Sequence, residues 1–344
     1  MKIALFGAGR MGRTIAHMIK KLGDHSIHSW DEHAEFLTEC DRHSSCNIKK
    51  LDKIEEFDLV ISSLPYHLNS HISKLCIDAG ITYCDLGGSV PVSKEINDLA
   101  KTNNATVFTD LGLAPGWANI MAEEAFQQIL KQTSSIPHTI NMRCGGLPDK
   151  EALAQIDPFN YCLTWSSEGL YNEYVDDSHV LQNHLIARVP SLAEREMIKI
   201  DGFPDLEAFT TSGGASHTLH SMKHRGVCNC SYKTLRYKGH LDLMLYFLKR
   251  KEFNATQLAE LFKQRGSSDV VIVEVEAFCP SANITYRKTK VVEAKDGYSA
   301  MQRATAGGLV SAIFASPLNH SYPLTYADID IETFNKNMET LGLN

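Results

Sequence analysis

The sequence predicts an α/β fold: a doubly wound parallel sheet in the first part of the chain, followed by a second α+β domain with a largely antiparallel sheet. In the first third, short apolar runs alternate with amphipathic segments of helical spacing. Such strand–helix–strand repeats build parallel sheets that are covered on both faces. From about residue 136 onward the apolar runs become longer and alternate in polarity, which is typical of antiparallel strands.

The elements of the first part can be assigned in order. The apolar run KIALF predicts the first strand, and the segment RMGRTIAHMIKKL after it has the spacing of an amphipathic helix. The predicted strands are 2–6, 25–30, 58–64, 82–86 and 105–111, and the predicted helices are 10–22, 69–80 and 93–104. Right-handed connections between parallel strands then give a doubly wound sheet.

The second part is predicted to contain strands over 228–240, 269–278 and 283–295. A helix predicted over 301–316 is rich in small residues and can return to pack on the first domain, which would make that domain discontinuous. We therefore expect a first domain of residues 1–118, completed by about 300–344, and a second domain of residues 119–299.

Composition and charge exclude several classes of protein. The 344 residues carry a formal net charge of −7 and are 43% hydrophobic, which is ordinary for a globular protein and argues against a nucleic-acid partner. No window approaches the ~18 apolar residues of a membrane span, and the N-terminus does not resemble a signal peptide. Nine scattered cysteines then indicate reduced thiols and a cytoplasmic location. The close pair Cys228 and Cys230 is too small a ligand set to predict a metal site.

The segment GAGRMG, directly after the first strand, carries a dinucleotide-binding signal. Its three glycines, Gly7, Gly9 and Gly12, have the G-x-G-x-x-G spacing of a Rossmann domain. They permit a tight turn, close approach of a pyrophosphate to the backbone, and close packing of the helix on the sheet. Arg10 and Met11 begin the helix and are predicted to contact the cofactor, because a helix N-terminus attracts an anion. A glycine turn without a ligand is the alternative.

Asp31, which closes the second predicted strand, is expected to select the cofactor. An acid at this place can accept hydrogen bonds from the ribose diol of NAD, and it would repel the 2′-phosphate of NADP. No Arg or Lys follows within DEHAEF. The sequence therefore predicts NAD as the cofactor, with NADP less favoured.

Three later strand ends are constrained in a similar way. The segments SSLPYHLN, CDLGG and TDLGLAPG each follow an apolar run, and the last two carry an acid followed by glycines. The carboxyl ends of strands line the ligand crevice of a doubly wound sheet, so we expect the cofactor and a second ligand to bind here. Simple strand-ending turns are the alternative. The predicted cofactor contacts are Ser63, Leu64, Pro65 and Asp85, and the predicted substrate contacts are Tyr66 and Gly87.

Ten motifs extend over nearly the whole chain, in the order GAGRMG, LPYHLN, DLGG, DLGLAPGWANI, GGLP, SSEGL, VPSLAE, LEAFTTSGGASHTL, YKTLRYKGH and MQRATA. Together they resemble the saccharopine dehydrogenase superfamily from residue 1 to about 315, most closely its lysine 6-dehydrogenases and their bacterial relatives. The resemblance implies a Rossmann domain and a second domain that carries the substrate site and the dimer contact. It also implies NAD(P)-linked oxidation of a carbon–nitrogen bond in an amino acid. The chain departs from the family pattern over 147–165 and at Trp117. The resemblance implies that these positions contact the part of the substrate whose length differs between family members.

Oxidation of a carbon–nitrogen bond requires a proton acceptor near the amine, because hydride leaves the carbon only when the nitrogen is neutral. Asp110 is the first candidate, Glu168 the second, and His240 a third acid or base near the end of a strand. Asp110 can instead brace its loop, Glu168 can cap a helix, and His240 can belong to a solvated cationic face.

Binding of an amino-acid carboxylate requires a cation or several N–H donors. Arg236 is predicted to clamp the carboxylate, because a guanidinium offers two parallel hydrogen bonds. Thr211, Ser212 and the N–H groups of Gly213 and Gly214 form a candidate anion site in the segment TTSGGASH. A solvated cationic strand face and a plain tight turn are the alternatives.

These observations favour an NAD(P)-dependent oxidoreductase that deaminates a small-molecule amino acid in the manner of lysine 6-dehydrogenase. One alternative is reductive condensation of the saccharopine or carboxynorspermidine dehydrogenase type. A non-catalytic dinucleotide sensor is another. A homodimer or larger homo-oligomer is expected, because an antiparallel sheet can pair about a twofold axis.

Overall fold

The structure, a computed structural model, describes residues 1–32, 37–54, 57–149, 159–250, 253–263 and 268–343. The chain divides into two compact units. The first comprises Met1–Ile120 and Gln302–Asn344, and the second comprises Met121–Met301. Each unit has its own sheet and its own buried apolar clusters.

The helices and strands are numbered in chain order. The strands are β1 (Lys2–Phe6), β2 (Ser26–Asp31), β3 (Arg42–Ser45), β4 (Leu59–Ser62), β5 (Thr82–Asp85), β6 (Val107–Phe108), β7 (Thr139–Pro148), β8 (Ser178–Gln182), β9 (Leu185–Val189), β10 (Glu196–Ile198), β11 (Leu206–Thr210), β12 (Asn229–Tyr237), β13 (Asp269–Cys279) and β14 (Ile284–Glu293). The helices are α1 (Arg10–Leu22), α2 (Asn69–Ala79), α3 (Val90–Asn103), α4 (Trp117–Thr133), α5 (Ser167–Val175), α6 (Thr218–His224), α7 (His240–Leu248), α8 (Ala255–Leu261), α9 (Ala300–Ile313) and α10 (Ile331–Thr340).

The described residues of the first unit form a six-stranded parallel sheet with the strand order β3-β2-β1-β4-β5-β6. Strand β1 pairs with both β2 and β4, so the winding direction changes at β1, and ligands of doubly wound sheets bind outside the strand ends at such a point. The predicted doubly wound sheet is confirmed. Strand β3 was not predicted, because its sequence RHSS contains no apolar residue from which a strand could be recognised.

The last strand of this sheet is shorter than the sequence suggests. The apolar run 105–111 predicts a seven-residue strand, but β6 covers only Val107 and Phe108. The backbone of Asp110 has φ +64°, in the left-handed region, so the chain leaves the extended conformation at that residue. Strand β6 therefore ends two residues before Asp110, the first candidate for the proton acceptor.

The second unit contains a mixed, mostly antiparallel sheet with the order β10-β11-β12-β7-β13-β14, and the hairpin β8–β9 joins it through β12. Strand β12 pairs antiparallel with β11 and parallel with β7, while β13 pairs antiparallel with β7 and β14. The predicted α+β architecture is confirmed. Within the part of the chain that the structure describes, no helix is long and apolar enough to cross a membrane.

Candidate functional site

The three glycines after β1 have different structural reasons to lack a side chain. Gly7 has φ +92°, and a Cβ there would lie 2.7 Å from the Oγ of Ser63. A Cβ on Gly12 would lie 1.8 Å from the carbonyl oxygen of Gly7, so α1 can pack against the turn only without one. A Cβ on Gly9 would have no atom within 4 Å. Gly7 and Gly12 are thus required by the fold, whereas Gly9 borders open space.

Open space beside Gly9 lies at the first turn of α1, where main-chain N–H groups are available to an anion. The Gly9 backbone is extended, at φ −73° and ψ −158°, and as a glycine it offers no side chain to cap the helix. Arg10 is exposed and Met11 is half-buried at the same helix start. The residues present therefore fit the pyrophosphate of a dinucleotide.

Asp31, at the end of β2, is joined to this loop by a hydrogen bond. Its Oδ2 accepts the backbone N–H of Ala8 at 2.8 Å, and the N–H of Gly7 donates to the carbonyl oxygen of Trp30 at 2.8 Å. The carboxylate thus orders the glycine loop from the neighbouring strand. Residues 33–36, which follow it in the DEHAEF segment, lie outside the described residues.

The segment after β4 also contacts the glycine loop. The Oγ of Ser63 donates to the carbonyl oxygen of Gly7 at 2.8 Å, so this side chain holds the turn. Leu64 is half-buried and Pro65 is exposed. The side chain of Tyr66 lies close to Gly88: a Cβ added to Gly88 would be 3.4 Å from the Cβ of Tyr66. The structure therefore places Ser63 at the predicted cofactor loop and Tyr66 beside the DLGG turn.

Asp85, the last residue of β5, is 1% exposed and accepts three hydrogen bonds. Its Oδ1 accepts the N–H groups of Gly87 at 2.8 Å and Asp110 at 3.1 Å, and its Oδ2 accepts the hydroxyl of Tyr83 at 3.0 Å. Burial, and secondarily the charge of Asp110, raises the pKa of Asp85 to about 7. All three of these hydrogen bonds come from the protein itself, so the geometry gives Asp85 the role of bracing two turns.

Asp110 is 7% exposed and lies in the turn that follows β6. Its Oδ1 accepts the hydroxyl of Ser93 at 2.6 Å, and its carbonyl oxygen accepts the hydroxyl of Tyr326 at 2.8 Å. A Cβ on Gly87 would lie 2.5 Å from the same Oδ1. The Asp110 carboxylate can therefore occupy this position only because residue 87 is a glycine. The Asp110 carboxylate is therefore held between α3 and the turn that follows β5, and Tyr326 holds its backbone.

The glycines of the same loop are needed for close backbone packing. A Cβ on Gly116, at φ +130°, would lie 2.0 Å from the carbonyl oxygen of Gly112. The N–H of Trp117 donates to that oxygen at 3.0 Å, and the side chain of Asn119 accepts the N–H of Gly116 at 2.8 Å. Trp117 itself is buried at the start of α4. The loop is thus compact and leads directly into α4.

Arg236 of β12 is the most unusual buried group of the second unit. It is 3% exposed, and its guanidinium lies over the ring of Tyr161 at 4.5 Å and near that of Tyr174 at 5.8 Å. Its Nε donates to the hydroxyl of Tyr174 at 2.9 Å, and its Nη1 donates to the preceding carbonyl oxygen at 2.9 Å. Glu207, opposite on β11, instead accepts the N–H of Leu241 at 2.7 Å. Among the described residues, no carboxylate oxygen lies within 4.0 Å of Arg236.

His240 supports this arginine through a tyrosine. It is fully buried, its Nδ1 lies 2.9 Å from the carbonyl oxygen of Phe159, and its Nε2 lies 3.0 Å from the hydroxyl of Tyr174. Since a carbonyl only accepts, Nδ1 carries the proton and Nε2 accepts from Tyr174, whose oxygen accepts from Arg236. Burial and the charge of Arg236 lower the pKa of His240 to about 3, so the ring is neutral. The catalytic role predicted for His240 stays a prediction, and this placement favours a positioning role.

Glu173 of α5 is a site residue that the sequence reasoning missed. Its Oε1 accepts the hydroxyls of Thr211 at 3.0 Å and Thr234 at 2.5 Å, and these hydroxyls lie 2.7 Å apart. Burial alone would lower the pKa of Arg236, but Tyr174, Tyr161 and Glu173 outweigh it and raise that pKa. The segment GLYNEY shows no motif that would single out Glu173 before the fold brings α5 to β12.

The remaining predicted residues lie at different places in the second unit. Ser212 is half-buried and its N–H donates to the main-chain carbonyl of Glu173 at 3.0 Å. Gly213 has φ +88° and open space where a Cβ would lie. Glu168 is exposed in the first turn of α5, where Ser166 caps the helix by accepting the N–H of Gly169 at 3.1 Å. Thr211 and Arg236 thus belong to one cluster with Glu173, and Glu168 is the exposed acid of the helix.

Two further expectations concern metals and the departure from the family pattern. Among the residues that the structure describes, no group of three or more His, Cys, Asp or Glu side chains could hold a metal ion.

Of the divergent segment 147–165, residues 150–158 lie outside the described residues. Tyr161, at its end, packs on Arg236.

Comparisons with known proteins cover both units. Residues 3–109 match the family model described as saccharopine dehydrogenase NADP binding domain, and residues 112–318 match the saccharopine dehydrogenase C-terminal domain. The solved apo structure of histidine-tagged saccharopine dehydrogenase (L-Glu forming) from Saccharomyces cerevisiae is similar with a TM-score of 0.75. At 15% identity, the similarity covers 98% of this chain and 97% of that chain. This similarity shows a shared fold.

Curated relatives are much longer than the part that this chain matches. The mitochondrial alpha-aminoadipic semialdehyde synthase of Rattus norvegicus is 28% identical over 207 residues, which are 57% of this chain and 21% of the rat protein. The saccharopine dehydrogenase (NADP(+), L-glutamate-forming) of Schizosaccharomyces pombe is 27% identical over 117 residues, which are 34% of this chain and 25% of that protein. The matched region is therefore about a fifth to a quarter of these relatives.

The expectation that NAD is preferred over NADP is wrong. The model that matches residues 3–109 is an NADP-binding domain, and the Schizosaccharomyces pombe relative is named for NADP(+). The expectation depended on an Asp31 carboxylate available to a ribose diol and on the residues next to it in sequence. In the structure Asp31 bonds to the glycine loop, and a cation for a 2′-phosphate can come from another segment, such as the exposed Arg10.

Proposed function

Because this chain belongs to the saccharopine dehydrogenase family, we propose that it is an NADP-dependent oxidoreductase that acts on a carbon–nitrogen bond of an amino acid. The observation that carries the amino-acid part is the buried Arg236, which has no carboxylate partner among the described residues. A buried guanidinium without a counter-ion costs free energy, and a carboxylate ligand would remove that cost.

The first unit supports the cofactor part of the proposal. The open space beside Gly9 and the N–H groups at the start of α1 would hold the pyrophosphate, and Asp31 and Ser63 keep the glycine loop in shape. When bound, the nicotinamide of NADP(+) supplies the acceptor for a hydride. Gly7 and Gly12 contribute by allowing the turn and the helix to pack closely.

The chain's own residues would then handle the proton and the carboxylate. Arg236 binds the substrate carboxylate through its guanidinium, oriented by the bond from its Nε to Tyr174, which in turn donates to His240. Asp110 accepts the proton from the amine, so that the nitrogen becomes neutral and the C–H bond can release a hydride. Water then adds to the resulting imine, which releases the amine and leaves a carbonyl compound.

Two substrates of this chemistry are distinguished by their nitrogen. Lysine 6-dehydrogenase-like deamination would remove a primary amine as ammonia, and we propose this reaction first, in a homodimer. The names of the curated relatives favour a second candidate, in which the nitrogen is secondary and joins two amino-acid skeletons. A non-catalytic sensor is disfavoured, because it would not need a buried guanidinium without a partner.

A screen of free amino acids and polyamines for NADP(+) reduction at alkaline pH tests the proposal. Saccharopine, L-lysine and carboxynorspermidine distinguish the secondary from the primary amines. With the substrate found, Arg236→Ala should mainly raise KM, because the clamp acts in the ground state and in the transition state. Arg225→Ala is a matched control, since Arg225 is half-buried in the same unit but paired with Glu123. Absence of NADP(H) binding would contradict the proposal.

A further inference from the structure

The side chain of Gln302, in the motif MQRATA, is bonded to the first turns of α1. Its Nε2 lies 3.1 Å from the carbonyl oxygen of Arg10 and 3.1 Å from the Oγ1 of Thr14. Since a carbonyl oxygen only accepts, the amide NH2 group of Gln302 donates to it. The hydroxyl of Thr14 donates to the same carbonyl oxygen at 2.9 Å, so it accepts from Gln302. Two side chains therefore donate to the carbonyl oxygen of Arg10.

The carbonyl of Arg10 and the N–H of Met11 belong to one peptide group. In a trans peptide these two bonds point in opposite directions, so donors that fix the carbonyl also fix the direction of the N–H. Met11 lies in the first turn of α1, where an N–H group has no acceptor within the helix. Among the described residues, nothing accepts a hydrogen bond from the N–H of Met11. This N–H is therefore available to an anion at the helix start.

Helix α9 is packed closely enough to hold the Gln302 amide in place. A Cβ on Gly308 would lie 2.9 Å from the carbonyl oxygen of Gly112, so the helix lies directly against the loop after β6. The Nη2 of Arg303 donates to the carbonyl oxygen of Gly342 at 2.8 Å. All these residues belong to the first unit. The amide thus extends from a helix that is itself fixed at two places.

We propose that Gln302 is a positioning residue for the cofactor and that it acts on the pyrophosphate through the Arg10–Met11 peptide group. Gln302 holds the carbonyl end of this group, and a phosphate oxygen accepts from its N–H end. Hydrogen bonds in such a chain polarise one another, so the donor at the carbonyl strengthens the bond from the N–H to the anion. Gln302 does not contact the cofactor. It orients and strengthens a donor that does.

This assignment rests on the cofactor part of the proposed function and adds a residue from the far end of the chain. Gln302 is the first residue of the segment Gln302–Asn344, with which the chain returns to the first unit. The glycine loop after β1 is therefore completed by a donor that its own sequence does not contain. Because NADPH and NADH share the pyrophosphate, Gln302 should affect both by the same factor.

Calorimetric titration of the full chain with NADPH and with NADH tests the assignment. Gln302→Met keeps the length of the side chain and removes the donor. We expect both cofactors to bind about fivefold more weakly, the loss of roughly one hydrogen bond, with an unchanged ratio of affinities. Arg303→Met is the matched control, because the neighbouring residue loses its hydrogen bond to Gly342 instead. Neither cofactor affinity should change in the control, and the two variants should have similar melting temperatures.

The amide resonance of Met11 gives a readout that helix packing alone would not move. In a chain with isotope-labelled methionine, the Met11 peak is assigned by its loss in Met11→Leu. We expect NADPH to shift this peak downfield, because the N–H then donates to an anion. The shift should be clearly smaller in Gln302→Met and unchanged in Arg303→Met.

Each other outcome overturns the assignment. Unchanged NADPH affinity in Gln302→Met, the same loss in Arg303→Met, or a Met11 peak that does not respond to NADPH would show that Gln302 only packs α9 against α1. A loss confined to NADPH would place the effect at the 2′-phosphate instead. The proposed function fails separately: if no amine reduces NADP(+) but NADPH binding depends on Gln302, the positioning role stands without the reaction. If an amine reduces NADP(+) and Gln302→Met binds NADPH normally, the reaction stands and the positioning role does not.

Discussion

The carboxylate of Asp85 accepts the backbone N–H of Asp110 at 3.1 Å, and the same oxygen accepts the N–H of Gly87 at 2.8 Å. One buried side chain at the end of β5 thus joins the turns that follow β5 and β6. Gly87 and Asp110 both have positive φ, at +79° and +64°. The bond from Asp85 therefore helps to stabilise the left-handed backbone from which the Asp110 carboxylate extends.

Asp85→Asn should make thermal stability less dependent on pH. The pKa of Asp85 is about 7 in the folded chain and 3.8 in its unperturbed state, so the folded chain binds the proton more tightly. The contribution of Asp85 to the free energy of unfolding therefore falls as the pH rises from about 4 to about 7, by at most ~1.4 kcal/mol per pH unit. Above about pH 7 this contribution is constant. Asparagine keeps the accepting oxygen and carries no charge. The variant should gain stability relative to the unmutated chain as the pH rises over this range.

Scanning calorimetry at about pH 5 and about pH 8 checks this. Asp78→Asn, an exposed acid of α2 that pairs with Lys74, is the control and should show a small difference at both pH values. The same difference between Asp85→Asn and the unmutated chain at both pH values would show that Asp85 does not titrate in this range.

Asp110→Asn should lower turnover by roughly 100-fold or more, the usual effect of losing a general base. NADPH affinity should change little, because the phosphates are held by the glycine loop of β1. Steady-state kinetics and NADPH titration measure the two effects. Asp98→Asn, an exposed acid of α3, is the control. If Asp110 only braces its loop, through Ser93, the variant would instead melt at a lower temperature with nearly normal turnover.

Gly9→Val and Gly12→Ala should separate cofactor binding from folding. The valine would extend into the open space beside the α1 start, so NADPH binding should be lost while the melting temperature stays nearly the same. The alanine of the second variant would place its Cβ 1.8 Å from the carbonyl oxygen of Gly7, so the melting temperature should fall. Calorimetric titration and thermal unfolding distinguish them. Tight NADPH binding by Gly9→Val would contradict the placement of the pyrophosphate.

Arg10→Ala should weaken NADPH binding more than NADH binding, by about tenfold or more in the ratio, if Arg10 pairs with the 2′-phosphate. Arg10 is exposed, and it begins the helix two residues after Ala8, which bonds to Asp31. Fluorescence titration with both cofactors measures the ratio. Arg13→Ala, an exposed arginine one turn later in α1, is the control. An equal loss for both cofactors would place Arg10 at the pyrophosphate instead.

The elements that the sequence predicted well were those with a strong local pattern. The strand KIALF and the helix after it have the same limits in the structure, because apolar spacing and the glycines define both. Strand β3 and the early end of β6 were missed. The first has no apolar pattern, and the second depends on a positive φ at Asp110 that an apolar run cannot reveal.

The sequence by itself determined the doubly wound sheet, the glycine loop at its first strand end and the family, because these follow from short-range spacing and from motifs. Only the tertiary structure decided which charges are left without a partner. Arg236 was a candidate from its strand, but its burial without a carboxylate depends on α5, which also brings Glu173 to Thr234. The sequence predicts Asp31 and Asp85 as contacts of the cofactor. In the fold, both carboxylates accept hydrogen bonds from main-chain N–H groups. A side chain's partners come from distant segments, so local sequence shows the charge and only packing shows whether it is paired.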